Sequence, residues 1–392
     1  MRGEAARFTA PSPTISLSAS WTLPASDTPP NTPKPSFTAR PTASATVTWT
    51  RKPSPTPTQT ATVTPTPVPP RVVASYPLDG DHAVRVERAL VIEFDRPMDK
   101  SSVGERLILS PTVEGTIDWP TPRRLAFMPR DGWTAHAYEA ILAPGATDLQ
   151  GVAMREAFRL RFGRKGHGAP VPILVYHRLK KLDDQPGEAQ LTWTVSPEAF
   201  AAQMTYLVQG GWQSISPAQL AAYLTQGEPL PRRPVMITLD DGYKEVYTLV
   251  YPLCTKLGLR PVLFIVPQYV GYGAYMDWEQ LRELVRAGFF VGAHGYDHAD
   301  LRKLSDAEIE RQIGDSQALL AERLGITVDA FAYPYGHYDQ RALVALEKYH
   351  YVTAFTLNPS IFQSPDRLYQ LNRLVITYTT SLAEFARLLP QN

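Results

Sequence analysis

Two carboxylates and two imidazoles in the second half of the chain have the types and spacing of a catalytic metal site. Asp240 and Asp241 follow an apolar run and precede a glycine. Adjacent side chains at the end of a strand point to opposite sides, so one carboxylate can bind a cation while the other accepts a proton. His294 and His298 are four residues apart, so one helical turn would place both imidazoles on one face. Two imidazoles and one carboxylate that leave coordination positions open predict a catalytic divalent-metal site rather than a structural one.

Each of these signals has a plainer interpretation when it is taken alone. An acidic pair before a glycine can be a strand-to-helix turn in which Asp241 caps the helix. Two histidines at this spacing can also be unrelated residues of a polar turn. The signals favour a catalytic site because they occur together, each behind its own apolar run.

A third segment, residues 331–336, also follows an apolar run. Pro334 and the glycine after Tyr335 predict a rigid turn, in which the backbone N–H of Tyr335 could face an oxyanion. His337 follows this turn and could line the same site. The plainer interpretation is an ordinary Pro-Gly turn in which Tyr333 and Tyr335 are packing residues.

Apolar strands and amphipathic helices alternate over residues 168–392, and they must position these side chains. This alternation predicts a parallel α/β architecture and a closed or nearly closed (β/α) barrel, with functional groups just past the carboxyl ends of strands. The predicted strands are residues 171–176, 235–239, 262–266, 289–293, 330–333, 352–357 and 371–376. The predicted helices are residues 197–208, 217–225, 244–257, 278–287, 306–324 and 340–348.

Residues 71–165 predict a small all-β module. Apolar side chains alternate in short runs, as at Leu90, Ile92 and Phe94, and Asp-Gly, Pro-Gly and Gln-Gly pairs separate the runs. This pattern is typical of a β-sandwich of about seven strands. Residues 77–80, 94–98, 138–142 and 148–151 resemble segments of a bacterial Ig-like domain. That resemblance implies a spacer, or a module that contacts carbohydrate or the cell wall.

The first 70 residues differ in composition from the rest. They hold 15 prolines and 24 serines and threonines, with few large apolar residues. Such a segment cannot offset its ordering entropy by burial, so we expect a disordered or extended stalk or linker that could tether the chain to a surface. The apolar stretch of roughly 7–15 residues that an export signal needs is missing near Met1. Because such stalks are typical of extracellular proteins, we expect the true start, with a signal or anchor, to lie upstream.

Charge and cysteine content exclude several classes of protein. The chain has 39 Lys and Arg against 38 Asp and Glu, a net charge of +1, which argues against a nucleic-acid binder. The single cysteine, Cys254, excludes a disulfide framework and a Cys-rich metal cluster. No uncharged apolar run reaches the ~18 residues of a membrane span.

The order of three segments resembles the polysaccharide deacetylases, carbohydrate esterase family four. These segments are residues 238–242 (TLDDG), 294–298 (HGYDH) and 332–336 (AYPYG). Residues 172–178, 195–203 and 277–284 also lie in the order expected for this family. The Leu-x-Tyr-His sequence that ends at His177 is most similar to the poly-N-acetylglucosamine deacetylase branch.

By this resemblance, Asp240 is implied to be the general base, and Asp241, His294 and His298 the metal ligands. Tyr335 would supply the oxyanion N–H. His177 would be the general acid, since a histidine that titrates near neutrality can protonate a departing nitrogen. The turn residues Tyr333, Pro334, Tyr335 and His337 are the candidate substrate-binding residues, and Tyr243 and Trp278 are further aromatic rings that could stack on sugars.

Two departures from the family pattern concern the general base and the general acid. Many family members have an arginine at the position of Ala332, where it tethers the base, and a late histidine where this chain has Arg373. We expect Arg373 to tether Asp240 and His177 to replace the late histidine.

The implied activity is metal-dependent removal of N-acetyl groups from an N-acetylglucosamine polysaccharide outside the cell or at the cell envelope. Zinc is the expected metal, with cobalt, nickel or iron as alternatives. Two other functions stay open: a peptidoglycan or chitin-oligomer deacetylase, and a catalytically idle wall-binding or adhesive protein on the same scaffold. The four intact residues of the Asp-Asp and His-His pairs argue against the idle protein.

Overall fold

The structure is a computed structural model that describes residues 67–164 and 168–390. It comprises a first module (residues 67–164) and a barrel domain (residues 168–390). The predicted stalk lies, up to residue 66, outside the described residues. Within the two described ranges, no helix has the length and apolar character needed to cross a bilayer.

The first module is a sandwich of two antiparallel sheets, as the alternating runs predict. One sheet has the order β1-β2-β5-β4 and the other β3-β6-β7. Leu90, Ile92 and Phe94 all point into the core, where Trp133 is fully buried. The strands are β1 (Val72–Tyr76), β2 (Leu90–Phe94), β3 (Leu107–Ser110), β4 (Gly115–Thr121), β5 (Arg124–Pro129), β6 (Ala137–Leu142) and β7 (Phe158–Gly163), with the short helix α1 (Lys100–Gly104) between β2 and β3.

The barrel domain is built on parallel strands in the order β18-β17-β16-β15-β14-β9-β20. A parallel bridge between Phe355, at the end of β18, and Leu371, just before β20, brings the two edges together. The distorted barrel is therefore nearly closed, as predicted. The strands outside this order, which are β8, β10, β11, β12, β13 and β19, have two residues each. The strands are β8 (Ala169–Pro170), β9 (Ile173–Tyr176), β10 (Arg178–Leu179), β11 (Thr194–Val195), β12 (Gln213–Ser214), β13 (Leu230–Pro231), β14 (Pro234–Asp241), β15 (Val262–Ile265), β16 (Phe290–Ala293), β17 (Ala330–Ala332), β18 (Thr353–Phe355), β19 (Phe362–Gln363) and β20 (Leu374–Val375).

Helices cover the outside of the barrel, and most begin at a serine or aspartate that caps the first turn, as Ser216 and Asp277 do. Two predicted helices contain a π-helical turn, at Val246–Val250 before α5 and at Arg311–Asp315 between α7 and α8. The helices are α2 (Glu188–Trp193), α3 (Pro197–Gln209), α4 (Pro217–Gln226), α5 (Tyr251–Leu257), α6 (Trp278–Arg286), α7 (Asp306–Glu310), α8 (Ser316–Leu324), α9 (Gln340–Lys348) and α10 (Leu382–Leu388).

The first module and the barrel domain share a sheet and a core. Strand β1 pairs with β13, with Ala74 opposite Pro231. The buried hydroxyl of Tyr223, on α4, donates a hydrogen bond to Asp81 and accepts one from the backbone N–H of Leu78 at 3.0 Å. One continuous set of buried apolar side chains extends from β1 to the barrel strands.

Candidate functional site

A cavity of about 210 Å³ opens at the carboxyl ends of the barrel strands. Strands β9, β14, β16 and β17 end at or just before residues that line it, as the parallel α/β prediction requires. The lining side chains are His177, Trp193, Asp240, Asp241, Tyr243, His294, His298, Tyr333, Tyr335, Leu357 and Arg373.

Asp240 is a buried, ionised carboxylate held by Arg373. Its Oδ1 accepts a hydrogen bond from Arg373 Nη1 at 2.9 Å, and Arg373 Nε donates to the Thr356 carbonyl at 2.9 Å. Burial opposes ionisation of Asp240, but the charge of Arg373 and the nearby imidazoles outweigh it and lower the pKa to about 2. A carboxylate that is ionised at neutral pH can accept a proton.

Asp241 points into the same cavity as Asp240, although strand alternation predicts opposite sides. The reason is its backbone, because φ of 73° places Asp241 in the left-handed region and ends the alternation of β14. Its Oδ1 lies 3.5 Å from Nε2 of His294 and 3.5 Å from Nε2 of His298. This oxygen is buried and has no hydrogen-bond partner within the described residues. Burial and the charge of Asp240 raise the Asp241 pKa to about 7.

His294 is oriented by a backbone carbonyl. Its Nδ1 lies 2.8 Å from the Ala332 oxygen, which requires the proton on Nδ1 and leaves a lone pair on Nε2. Burial lowers the His294 pKa to about 3, so the ring is neutral near pH 7. A neutral imidazole with its free nitrogen aimed at a carboxylate is suited to bind a metal.

His298 reaches the site through a loop rather than the helical turn that the spacing suggests. Gly295 and His298 both have left-handed backbones, with φ of 73° and 64°. The buried side chain of Gln312, in the second π-helical turn, holds this loop. Its Oε1 accepts hydrogen bonds from the N–H groups of Tyr296 (2.7 Å) and Asp297 (3.2 Å). Burial lowers the pKa of His298 as well.

One potential ligand atom each of Asp241, His294 and His298 lies within 4.8 Å of the other two. Two neutral imidazoles and a carboxylate oxygen without a donor form a set that fits a divalent cation. Asp240 Oδ2 is close to this set, 3.8 Å from His294 Nε2.

His177 lies beside Asp240, with its Nε2 4.0 Å from Asp240 Oδ2. Burial lowers the His177 pKa to about 4, which differs from the near-neutral value expected of a general acid. The indole of Trp193, at the end of α2, packs against the His177 ring at 4.6 Å. Trp193 was not among the predicted site residues, because neither the short helix α2 nor the residues before Trp193 form a recognisable motif.

The four predicted turn residues occupy different places. Tyr335 lines the cavity with φ of 60°, is 54% exposed, and its ring lies 4.6 Å from that of His298. Tyr333 lines it too, but its hydroxyl donates to the Tyr369 carbonyl at 2.8 Å. Pro334 is buried and lies outside the lining. His337 also lies outside it, where its Nδ1 is 3.2 Å from Asp300.

The two further aromatic candidates have their rings engaged by other side chains. Tyr243 stacks on Tyr275 with ring centroids 4.9 Å apart, and the Arg178 guanidinium lies 4.3 Å from its ring. Because a stacked ring occupies one face, the guanidinium covers the other. Trp278 is on α6 with Arg323 over its ring, and it does not line the cavity.

The chain is similar to two known families. The polysaccharide deacetylase family matches residues 227–354, which include both aspartates and both histidines. The bacterial Ig-like domain matches residues 66–163. The first match covers the carboxyl ends of β14 to β17 that carry most of the cavity.

Individual relatives extend this similarity over the barrel domain. The protein YxkH of Bacillus subtilis (strain 168) is 27% identical over 209 residues, covering 53% of this chain and 72% of YxkH. The poly-beta-1,6-N-acetyl-D-glucosamine N-deacetylase of Escherichia coli (strain K12) is 27% identical over 239 residues, covering 50% of this chain and 35% of that protein. The structure of IcaB from Ammonifex degensii superposes with a TM-score of 0.51 at 26% identity, covering 57% of this chain and 99% of IcaB.

Proposed function

We propose that this chain, which carries a polysaccharide deacetylase domain behind a bacterial Ig-like domain, removes N-acetyl groups from an N-acetylglucosamine polysaccharide. The observation that carries the proposal is that an ionised carboxylate and a set of possible metal ligands lie in one cavity. A tethered, ionised Asp240 lies beside the donor set of Asp241, His294 and His298, with 3.8 Å between Asp240 Oδ2 and His294 Nε2. Amide hydrolysis needs a base for water next to a group that polarises the carbonyl.

Asp241, His294 and His298 would hold a divalent cation, for which zinc suits the imidazole and carboxylate donors, as cobalt, nickel or iron also do. When bound, such a cation lowers the pKa of water and polarises a carbonyl oxygen. The chain's contribution is to keep both imidazoles neutral and to hold their Nε2 atoms toward Asp241 Oδ1.

Asp240 is the general base in this proposal. Its carboxylate accepts a proton from water while the water oxygen forms a bond to the acetyl carbon. The carbon–nitrogen bond then breaks, the nitrogen takes up that proton and leaves as a free amine, and the acetic acid that remains ionises to acetate. Arg373 keeps Asp240 ionised and fixes Oδ1, so that Oδ2 is the oxygen left to accept the proton.

His177 passes the proton to the leaving nitrogen. Its pKa of about 4, lowered by burial, means that the ring is neutral before the reaction, so its proton must come from Asp240. Arg373 and the imidazoles lower the pKa of Asp240 against the effect of burial, which favours the return of Asp240 to its ionised form once it has taken the proton from water. The 4.0 Å between Asp240 Oδ2 and His177 Nε2 is short enough for a small movement to connect them.

The turn at Tyr335 supplies the remaining part of the site. We assign its backbone N–H to the oxyanion that forms at the acetyl oxygen. Tyr333 and Pro334 shape this turn, and the rings of Tyr335 and His337, 6.0 Å apart, would contact the sugar.

The polymer would be poly-N-acetylglucosamine, as the names of the Escherichia coli and several Staphylococcus aureus relatives suggest. The Pro/Ser/Thr-rich composition of the first 70 residues supports a location outside the cell or at its envelope, with tethering through the N-terminal region.

Acetate release from N-acetylglucosamine oligomers by the full chain tests this function. Release with added zinc that is lost with chelator, and lost in Asp240→Asn, would support it. The exposed Asp366→Asn is the matched control and should leave the rate unchanged. Release from peptidoglycan fragments alone would favour the second enzyme, and no release with any divalent metal would favour an idle binding protein.

A further inference from the structure

The turn formed by residues 272–275 carries an exposed aromatic side chain, Tyr272, near the cavity that holds the candidate site. Tyr272 is 71% exposed, more than any other large apolar side chain of the described residues. The glycines on either side of it, Gly271 and Gly273, have left-handed backbones (φ of 89° and 46°), and a Cβ at either would contact nothing within 4 Å. Most of the Tyr272 side chain is therefore open to solvent.

The backbone ties this turn to the strand end that carries the aspartates. The Lys244 N–H donates to the Ala274 carbonyl at 2.8 Å, and the Met276 N–H donates to the Gly242 carbonyl at 3.0 Å. The Tyr275 N–H bonds to the Tyr272 carbonyl at 2.9 Å, which closes a turn whose first and last Cα atoms lie within about 7 Å. Tyr272 is thus one turn away from a residue that touches the cavity wall.

A stack of side chains makes the turn rigid. Tyr275 stacks on the cavity residue Tyr243 and packs against Tyr269, with ring centroids 4.9 Å and 4.7 Å away. Arg178 clamps Tyr243 from the other side and is held by Glu245 at 2.9 Å and 2.6 Å. The turn that carries Tyr272 is therefore anchored at its Tyr275 end on the wall of the cavity.

We propose that Tyr272 forms an accessory sugar-binding subsite, in which its ring stacks on a pyranose adjacent to the one held in the cavity. This inference rests on the proposed function and adds that the substrate is a chain of several sugars. The apolar C–H face of a pyranose matches an exposed aromatic face, and the hydroxyl of Tyr272 can stay in water. A polymer that extends from the cavity past Tyr275 would reach the ring. A single sugar in the cavity would not.

The test compares N-acetylglucosamine oligomers of two to six sugars as substrates for the full chain, for Tyr272→Ala and for Tyr272→Phe. Tyr272→Ala should raise KM for the longest oligomer about three- to tenfold and leave kcat unchanged. It should leave the shortest oligomer that reacts unaffected, and Tyr272→Phe should match the wild type. Val344→Ala, an exposed site on α9, controls for removal of surface apolar area and should have no effect.

A binding experiment separates this subsite from catalysis. Calorimetric titration of the six-sugar oligomer into Asp240→Asn, and into the same variant with Tyr272→Ala, should show the same three- to tenfold loss. Unchanged binding and KM at every length, or an equal loss at every length, would overturn the subsite while leaving the deacetylase function standing. A wild-type chain that releases no acetate would instead overturn the proposed function.

Discussion

The guanidinium of Arg373 donates a hydrogen bond to the carboxylate of Asp240, with 2.9 Å between Nη1 and Oδ1, and both side chains are almost completely buried. Arg373 immediately precedes β20, and its buried guanidinium lies 5.5 Å from the centre of the Phe264 ring. It supplies a positive charge next to Asp240, which the side chain of Ala332 cannot do. This contact supports the expectation that Arg373 is the tether of Asp240.

Replacement of Arg373 by alanine should lower kcat/KM about 100-fold or more, because Asp240 would lose its partner and its orientation. Burial would then dominate the pKa of Asp240, so the acidic limb of the pH–rate profile should move to higher pH.

The same ion pair should make the stability of the fold depend on pH. The pKa of Asp240 is below its ordinary value because Arg373 and the imidazoles outweigh burial, so the stability that this carboxylate contributes is present above about pH 4 and lost as the pH falls toward 2. Because burial would then raise the pKa of Asp240, Arg373→Ala should reverse the sign of that dependence in unfolding titrations. The exposed Arg367→Ala is the control, and an unchanged pH–rate profile in Arg373→Ala would contradict the tether.

Metal affinity should fall as the pH drops below about 7. Burial and Asp240 raise the Asp241 pKa to about 7, so a cation must displace a proton there. Burial lowers the pKa of His294 to about 3, so its Nε2 carries no proton that metal binding would have to displace. The apparent affinity for zinc should therefore decrease about tenfold per pH unit, with about one proton released per metal near pH 6. Calorimetry in two buffers of different ionisation enthalpy measures this release, and Asp241→Asn should abolish it.

The leaving group should decide how much His177 matters. An amine leaves only when its nitrogen is protonated, whereas 4-nitrophenolate leaves without a proton. His177→Asn should therefore lower the deacetylation of N-acetylglucosamine oligomers about 100-fold and that of 4-nitrophenyl acetate much less. Equal losses on both substrates would assign His177 to positioning rather than to proton transfer. Trp193→Phe keeps an aromatic ring against His177 and serves as the conservative comparison.

Loss of one hydroxyl should weaken the junction between the first module and the barrel domain. Tyr223→Phe removes the donor to Asp81 Oδ2 and the acceptor of the Leu78 N–H, which costs about 1–3 kcal/mol of unfolding free energy. Denaturant unfolding measures the loss. Tyr206→Phe removes a hydroxyl without a hydrogen-bond partner in the described ranges, and it should change stability little.

The barrel could be predicted from the sequence because its strands are buried on both faces. Such strands are continuous apolar runs, and all seven predicted runs overlap strands of the parallel sheet. The motif residues could also be placed at strand ends, since that position follows from the topology.

The detailed geometry of the site could not be predicted, because it depends on backbone conformations that residue type disfavours. Asp241 and His298 both adopt a left-handed φ without being glycine, so neither strand alternation nor helical spacing gives their direction. Gln312 acts from a π-helical turn that a 3.6-residue period does not reveal. The position of Tyr272 near the cavity could not be predicted either, because it follows from the stack of Tyr275 on Tyr243.

The pairing of β1 with β13 has a practical consequence for producing this enzyme. A recombinant fragment that begins at the barrel would leave Leu230 and Pro231 on an open sheet edge and would uncover the apolar side chains that the first module buries. Exposed edges of this kind promote aggregation. A fragment that begins near residue 67 keeps the edge paired, so it is the shorter chain to purify for crystals or kinetics.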